Sequence, residues 1–171
     1  ARYDFIQLIN VERPQGRHFG NKVRAFNRGL AAVAELSYDF IGNLDADISF
    51  EPHYFENILR LFESNPKLGL AGGIIYTKIG DSFHSEDNTP DSVAGAVQLF
   101  RRACFEATGG YILMRHGGED AAMEIIARMK GWKVVKSVED RVFEHRRTGT
   151  ANRGLLSAKV RDGHRFYSLG Y

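Results

Sequence analysis

The chain has 171 residues, 43% of them apolar and 26% charged, a balance that fits one domain with one sizeable core and excludes a disordered chain. Its longest apolar run, residues 68–76, is too short to span a bilayer, and a formal charge of +2 lacks the basic excess of a dedicated nucleic-acid binder. A single cysteine, Cys104, excludes an internal disulfide and fits a reducing compartment.

In chain order, residues 5–11 read as a buried strand and residues 12–21, with Pro14, Gly16 and Gly20, as a loop. No basic stretch followed by an apolar one suggests a signal peptide, and the opening Ala1 suggests either a removed initiator Met or a piece of a longer protein. Val23, Phe26, Leu30 and Val33 line one face of a helix that Asn21 can cap. Residues 40–44 form a short apolar strand that runs straight into Asp45 and Asp47. Pro52 suits the first turn of a second helix, whose stripe is Phe55, Ile58, Leu59 and Phe62. Residues 68–76 read as a buried strand, with Gly72 and Gly73 marking close approach by other backbone.

Residues 78–92 are polar and read as a long loop. Residues 93–100 are strand-like, and residues 101–108 form a short helix stopped by Gly109 and Gly110. Residues 119–130 predict a helix with Met123, Ile126 and Met129 or Lys130 on its inner side, capped by Gly131. Two strands, 132–135 and 141–145, follow, and then a basic helix over residues 150–167. Residues 146–171 hold six cations against Asp162 alone, so a basic end sits on a mildly acidic body. Strands alternating with helices predict an α/β sheet with helices packed on it, whose ligands gather at strand carboxyl ends.

Asp45 and Asp47 lie at such an end, spaced to approach one divalent cation, although a solvated turn gives the same pattern. Glu119 and Asp120 open a helix after Gly117 and Gly118. They can supply a general base to a hydroxyl, or simply complement the helix dipole. His145 precedes Arg146 and Arg147, an imidazole beside two guanidiniums that can clamp a diphosphate, or an ordinary strand end. Arg24, with Lys22 and Arg28, can meet a phosphate or form a solvated helical face. Cys104, between Ala103 and Phe105, reads as a small buried hydrophobe. No nucleophile elbow, Walker loop or dinucleotide fingerprint is present.

The blocks GNKVRAFNRGL, YDFIGNLDADISFEPHYFENILRLF, LGLAGGIIY, VAGAVQLFRRACFEATGGY, GGEDAAMEIIARMKGWKVV and FEHRRTGT occur in a telling order over about residues 5–150. In this the sequence resembles the inverting nucleotide-sugar glycosyltransferases of family 2, which have the GT-A fold. The resemblance implies a mixed sheet with helices on both faces. It implies Asp45 near the donor ribose and metal, Asp47 holding Mn²⁺ or Mg²⁺ on the donor diphosphate, and Asp120 as catalytic base with Glu119 beside it. It implies His145 as a further metal or diphosphate contact, Arg24 toward the nucleotide, Gly95 and Ala96 lining the sugar pocket, and Arg146 or Arg147 on the leaving diphosphate.

Two family features are absent: the Gln-x-x-Arg-Trp motif of processive synthases, and the early strand–helix–strand unit with its Asp-Asp-Gly-Ser stretch. The reading is therefore a single domain over residues 1–171, the larger carboxyl-terminal part of a GT-A domain truncated at its amino end, with residues 150–171 a basic helical tail. The implied activity moves a sugar, commonly from a UDP-linked donor, to a glycan or lipid-linked acceptor in polysaccharide, glycolipid or cell-envelope synthesis. The implied setting is cytoplasmic, at the inner face of the membrane, with the tail against lipid and the open sheet edge favouring a homodimer. The alternatives are a sugar-1-phosphate nucleotidyltransferase and a non-catalytic binding module on the same fold.

Overall fold

The computed structural model describes residues 3–11, 20–85, 91–114 and 117–146. Arg147 and the tail over residues 150–171 lie outside the described residues, as do residues 12–19 of the loop expected over residues 12–21. The elements are α1 (Gly20–Ala32), β1 (Phe40–Gly42), β2 (Ile48–Phe50), α2 (Tyr54–Ser64), β3 (Leu68–Ile79), β4 (Ser82–Ser85), β5 (Leu99–Arg101), α3 (Arg102–Thr108), α4 (Glu119–Met129) and β6 (Lys133–Glu144).

The strands form one sheet in the order β1-β5-β3-β6-β2, with β4 on the outer part of β3. Among the described strands only β3 and β6 pair in parallel, and the other ladders are antiparallel. The sheet is therefore mixed. Its centre explains the continuous apolar run of β3: Leu70 enters one core cluster while Ala71 and Ile75 enter another. The first cluster joins Val23 of α1, Cys104 and Phe105 of α3, and Met123 and Ala127 of α4. The second gathers Tyr54, Ile58 and Phe62 of α2 against Val97 and Val142. Helices thus pack on both faces, as the resemblance implies. Val23, Phe26 and Leu30 of the α1 stripe and Phe55, Ile58 and Phe62 of the α2 stripe face the core, whereas Val33 and Leu59 do not join it and Tyr54 and Leu61 do.

The glycine pair of β3 does meet other backbone. A Cβ on Gly73 would lie 2.1 Å from the Asp140 carbonyl oxygen, and one on Gly72 would lie 2.6 Å from that of Val97. At Gly73 the β3–β6 register also jumps, from Ser137 to Arg141. The intervening residues loop out of the ladder and are anchored by Asp140, which accepts hydrogen bonds from Asn57 (2.8 Å) and Ser137 (2.6 Å). The two strands expected at 132–135 and 141–145 are consequently one strand, β6, interrupted by this irregularity.

Four further expectations change. Residues 5–11 are not a buried strand: Phe5 and Leu8 are each 83% exposed. A short apolar run becomes a strand only beside a ladder partner, and no described strand pairs with it. The polar stretch 78–92 contains a hairpin, since β3 continues to Ile79 and β4 returns through a turn at Gly80, whose φ is +62°. Residues 93–98 are irregular and supply carbonyls to Asn43 and Asp45 rather than a full ladder. On α4, Met129 is 80% exposed, and the buried positions are Met123, Glu124 and Ala127.

Candidate active site

The site grows from the carboxyl end of β1. Beyond Gly42 the chain stays beside the segment leading into β5: the Asn43 amide donates to the Gln98 carbonyl at 2.9 Å, and the Asp45 amide to that of Ala96 at 3.0 Å. This places Asn43 and Asp45 against Gly95. From the opposite side, α1 delivers Lys22, whose Nζ lies 2.8 Å from Asp45 Oδ1 and 3.0 Å from the Gly95 carbonyl oxygen. The Asn43 amide side chain donates to the same carbonyl.

The amino terminus of α4 closes the third side. The Gly95 amide donates to Asp120 Oδ2 at 3.2 Å, and the Ala121 amide to Asp120 Oδ1 at 2.9 Å. The backbone of one residue, Gly95, thus joins the three elements: its carbonyl serves Lys22 and Asn43, and its amide serves Asp120. A side chain at Gly95 has no room here, because a Cβ would lie 2.7 Å from Asp120 Oδ2. Lys22, Val23, Phe26, Asn43, Gly95, Tyr111, Glu119 and Asp120 line a shallow open cleft.

Beneath the cleft lies a buried polar link. Gln98 donates to the Val93 carbonyl (3.1 Å) and the Asp120 carbonyl (3.4 Å) and accepts the Tyr111 hydroxyl proton at 2.7 Å. Burial raises the Tyr111 hydroxyl pKa well above the ordinary value, and the negative charges of Asp120, Glu119 and Asp45 push it further. Tyr111 therefore acts as a neutral donor.

Asp47 belongs to a neighbouring group. Arg146 Nε and Nη2 each lie 2.9 Å from Asp47 Oδ2. The His145 amide donates to the Asp47 carbonyl at 2.9 Å, while its ring Nε2 lies 2.7 Å from Ser49 Oγ and its imidazole meets Phe83 edge-on. Pairing of β2 with β6, Ser49 opposite Phe143, builds this group.

Of the residues singled out by sequence, Asp120, Glu119 and Gly95 line the cleft, and Lys22 ties Asp45 to it. Ala96 contributes its carbonyl, and its side chain packs into the α2 core. Asp47, His145 and Arg146 share the adjacent group. Arg24 is exposed and donates to Asn21 on its own helix at 3.2 Å. Asn43, Gln98, Tyr111 and Glu124 escape sequence reasoning. The available signal was a lone amide inside an apolar stretch for Gln98 and an acid next to Met123 on a core-facing helix for Glu124.

Carboxylate and imidazole donors suit Mn²⁺ or Mg²⁺. Among the described residues no three His, Cys, Asp or Glu side chains gather to cage an ion. Asp45 is paired with Lys22 and Asp47 with Arg146, both in solvent-accessible ion pairs.

No family model matches the chain, and no curated protein matches it in sequence. Among solved structures it is similar to a mannosyltransferase, PcManGT from Pyrobaculum calidifontis in complex with GDP-Man and Mn²⁺, with TM-score 0.59 and 15% identity. The match covers 84% of this chain and 40% of that one, so the chain spans less than half the length of its neighbour. The likeness is one of fold: the chain has a glycosyltransferase-like architecture.

Proposed function

We propose that the chain is the larger, carboxyl-terminal part of a GT-A glycosyltransferase domain of the family 2 type. It would move a sugar from a nucleotide-diphospho-sugar to an acceptor hydroxyl with inversion. The observation that carries this reading is the Gly95 backbone, which gathers the Asp120 carboxylate and the Lys22–Asp45 pair at one cleft of a glycosyltransferase-like fold.

In this reading Asp120 accepts the proton of the acceptor hydroxyl as that oxygen attacks the anomeric carbon, and the nucleoside diphosphate leaves from the opposite face. Its two oxygens are already oriented by the Gly95 and Ala121 amides, so the base enters the reaction without reorganising. Lys22 and Arg146 present positive charge toward the departing diphosphate. Asp45 and Asp47, with His145 beside them, would hold Mn²⁺ or Mg²⁺, which when bound supplies Lewis-acid stabilisation of that leaving group. Glu119 reinforces the negative field at the helix start.

The test uses the full-length protein and a panel of nucleotide sugars, reading released nucleoside diphosphate. Asp120→Asn lowers turnover by about 10²–10⁴-fold while donor affinity stays within about twofold. Greater damage from Glu119→Gln reverses the two roles. Turnover of sugar phosphate with nucleoside triphosphate, but not of nucleotide sugar, overturns the reading.

A further inference from the structure

The segment from Asp91 to Gln98 carries the Gly95 backbone, yet its own hold on the protein comes from one turn further along α4. Glu124 is 4% exposed, one turn beyond Asp120 on a face otherwise filled by Met123 and Ala127. Its Oε1 accepts the Val93 amide at 2.7 Å and the Ser92 hydroxyl at 3.2 Å. Its Oε2 meets Arg128 Nη1 at 3.3 Å, and the other arm of that guanidinium donates to the Asp91 carbonyl. Gln98, 1% exposed, returns to the Val93 carbonyl from the other end. Val93 therefore has its amide fixed by Glu124 and its carbonyl by Gln98, two residues before Gly95.

A buried carboxylate is costly, and an apolar residue would fill this position at less expense to the fold. What the carboxylate supplies is a fixed distance between α4 and the 91–95 segment. We propose that Glu124 is a positioning residue: with Arg128 it clamps residues 91–93 to α4, and so sets the Gly95 backbone on which Asp120, Lys22 and Asn43 converge. Base and cation then keep their mutual geometry because the helix that carries Asp120 also carries the clamp.

The assignment rests on the role given to Asp120 above, and its test separates the two. Backbone amide exchange is measured on the full-length protein, Glu124→Ala and Glu124→Gln. In the alanine variant, exchange at Val93 and Gly95 accelerates by about tenfold or more, as for loss of a charge-assisted hydrogen bond, while the β3 amides keep their rates. The glutamine variant retains an acceptor for the Val93 amide and recovers most of the protection. In donor turnover, Glu124→Ala lowers kcat by about tenfold or more with KM within about twofold, the pattern of a displaced rather than deleted base. Unchanged exchange at Val93 and Gly95 in the alanine variant overturns the clamp. So does an equal rise across β3, which marks global destabilisation alone. If the parent turns over no nucleotide sugar, the glycosyltransferase reading falls while the exchange measurement still decides the clamp.

Discussion

Replacing Gly95 by alanine puts a methyl carbon 2.7 Å from Asp120 Oδ2, 2.9 Å from its Cβ and 3.1 Å from its Cγ. The backbone at Gly95 lies outside the left-handed region, so the steric conflict is the whole perturbation. Asp120 cannot simply swing aside, because Oδ1 is held by the Ala121 amide and its own backbone begins α4. Over-packing of this kind costs about 1–3 kcal/mol. Displacing a base by about 1 Å costs about 10²-fold in rate. Gly29, inside α1, provides the control: a Cβ there meets nothing within 4 Å. Gly29→Ala should therefore stabilise the protein by about 0.5–1 kcal/mol through helix propensity. Urea unfolding of both variants gives the stability difference, and nucleoside diphosphate release gives the rate. A Gly95→Ala protein within about 0.5 kcal/mol of the parent and of undiminished turnover would show that the Gly95–Asp120 contact is not the hinge of the cleft.

Cys104 is buried and its thiol pKa is pushed up to about 11 by desolvation, from an ordinary value of 9.0. Its alkylation by iodoacetamide at pH 8 should be about a hundredfold slower in the native protein than in urea, and equal rates would contradict its burial. Burial likewise raises the Glu124 pKa above the ordinary carboxylate value of 4.5. A raised acid binds more protons folded than unfolded, so its contribution is complete below the unfolded pKa and is lost as pH rises through the folded one. Between pH 4 and 7 the urea midpoint of Glu124→Gln should accordingly rise relative to the parent, and a relative fall refutes the sign. Asp47→Ala should abolish any Mn²⁺-dependent part of nucleoside diphosphate binding by calorimetry, and EDTA should reproduce that loss in the parent. Metal-dependent affinity that survives the substitution would place the ion elsewhere.

What the sequence disclosed follows from how each signal arises. The stripes of α1 and α2 and the run of β3 are products of burial, and burial is written in apolar spacing. Gly72 and Gly73 announced close packing because only absence of a side chain permits it. The hairpin ending in β4 was concealed, since a largely exposed ladder needs no apolar alternation. Residues 5–11 misled for the opposite reason: apolar composition without a partner strand cannot satisfy the backbone. At the site, Asp45, Asp120 and Gly95 were legible through motif order. Gln98 and Glu124 were not, because their importance lies in which distant backbone groups they hold.

The parallel pairing of β3 with β6 also bears on the order in which the molecule matures. β3 and β4 are joined by a short turn and can close within microseconds. Leu68 pairs with Lys133 across a wide separation in sequence, and parallel partners cannot be reached by a tight turn. The cleft draws Lys22, Asn43, Gly95 and Asp120 from four separate segments assembled around that pair. Its chemistry therefore arrives with nonlocal strand pairing, which is slower than closure of a local hairpin. A chain caught before that step has already formed its hairpin, yet Asp120 and Lys22 do not meet at Gly95.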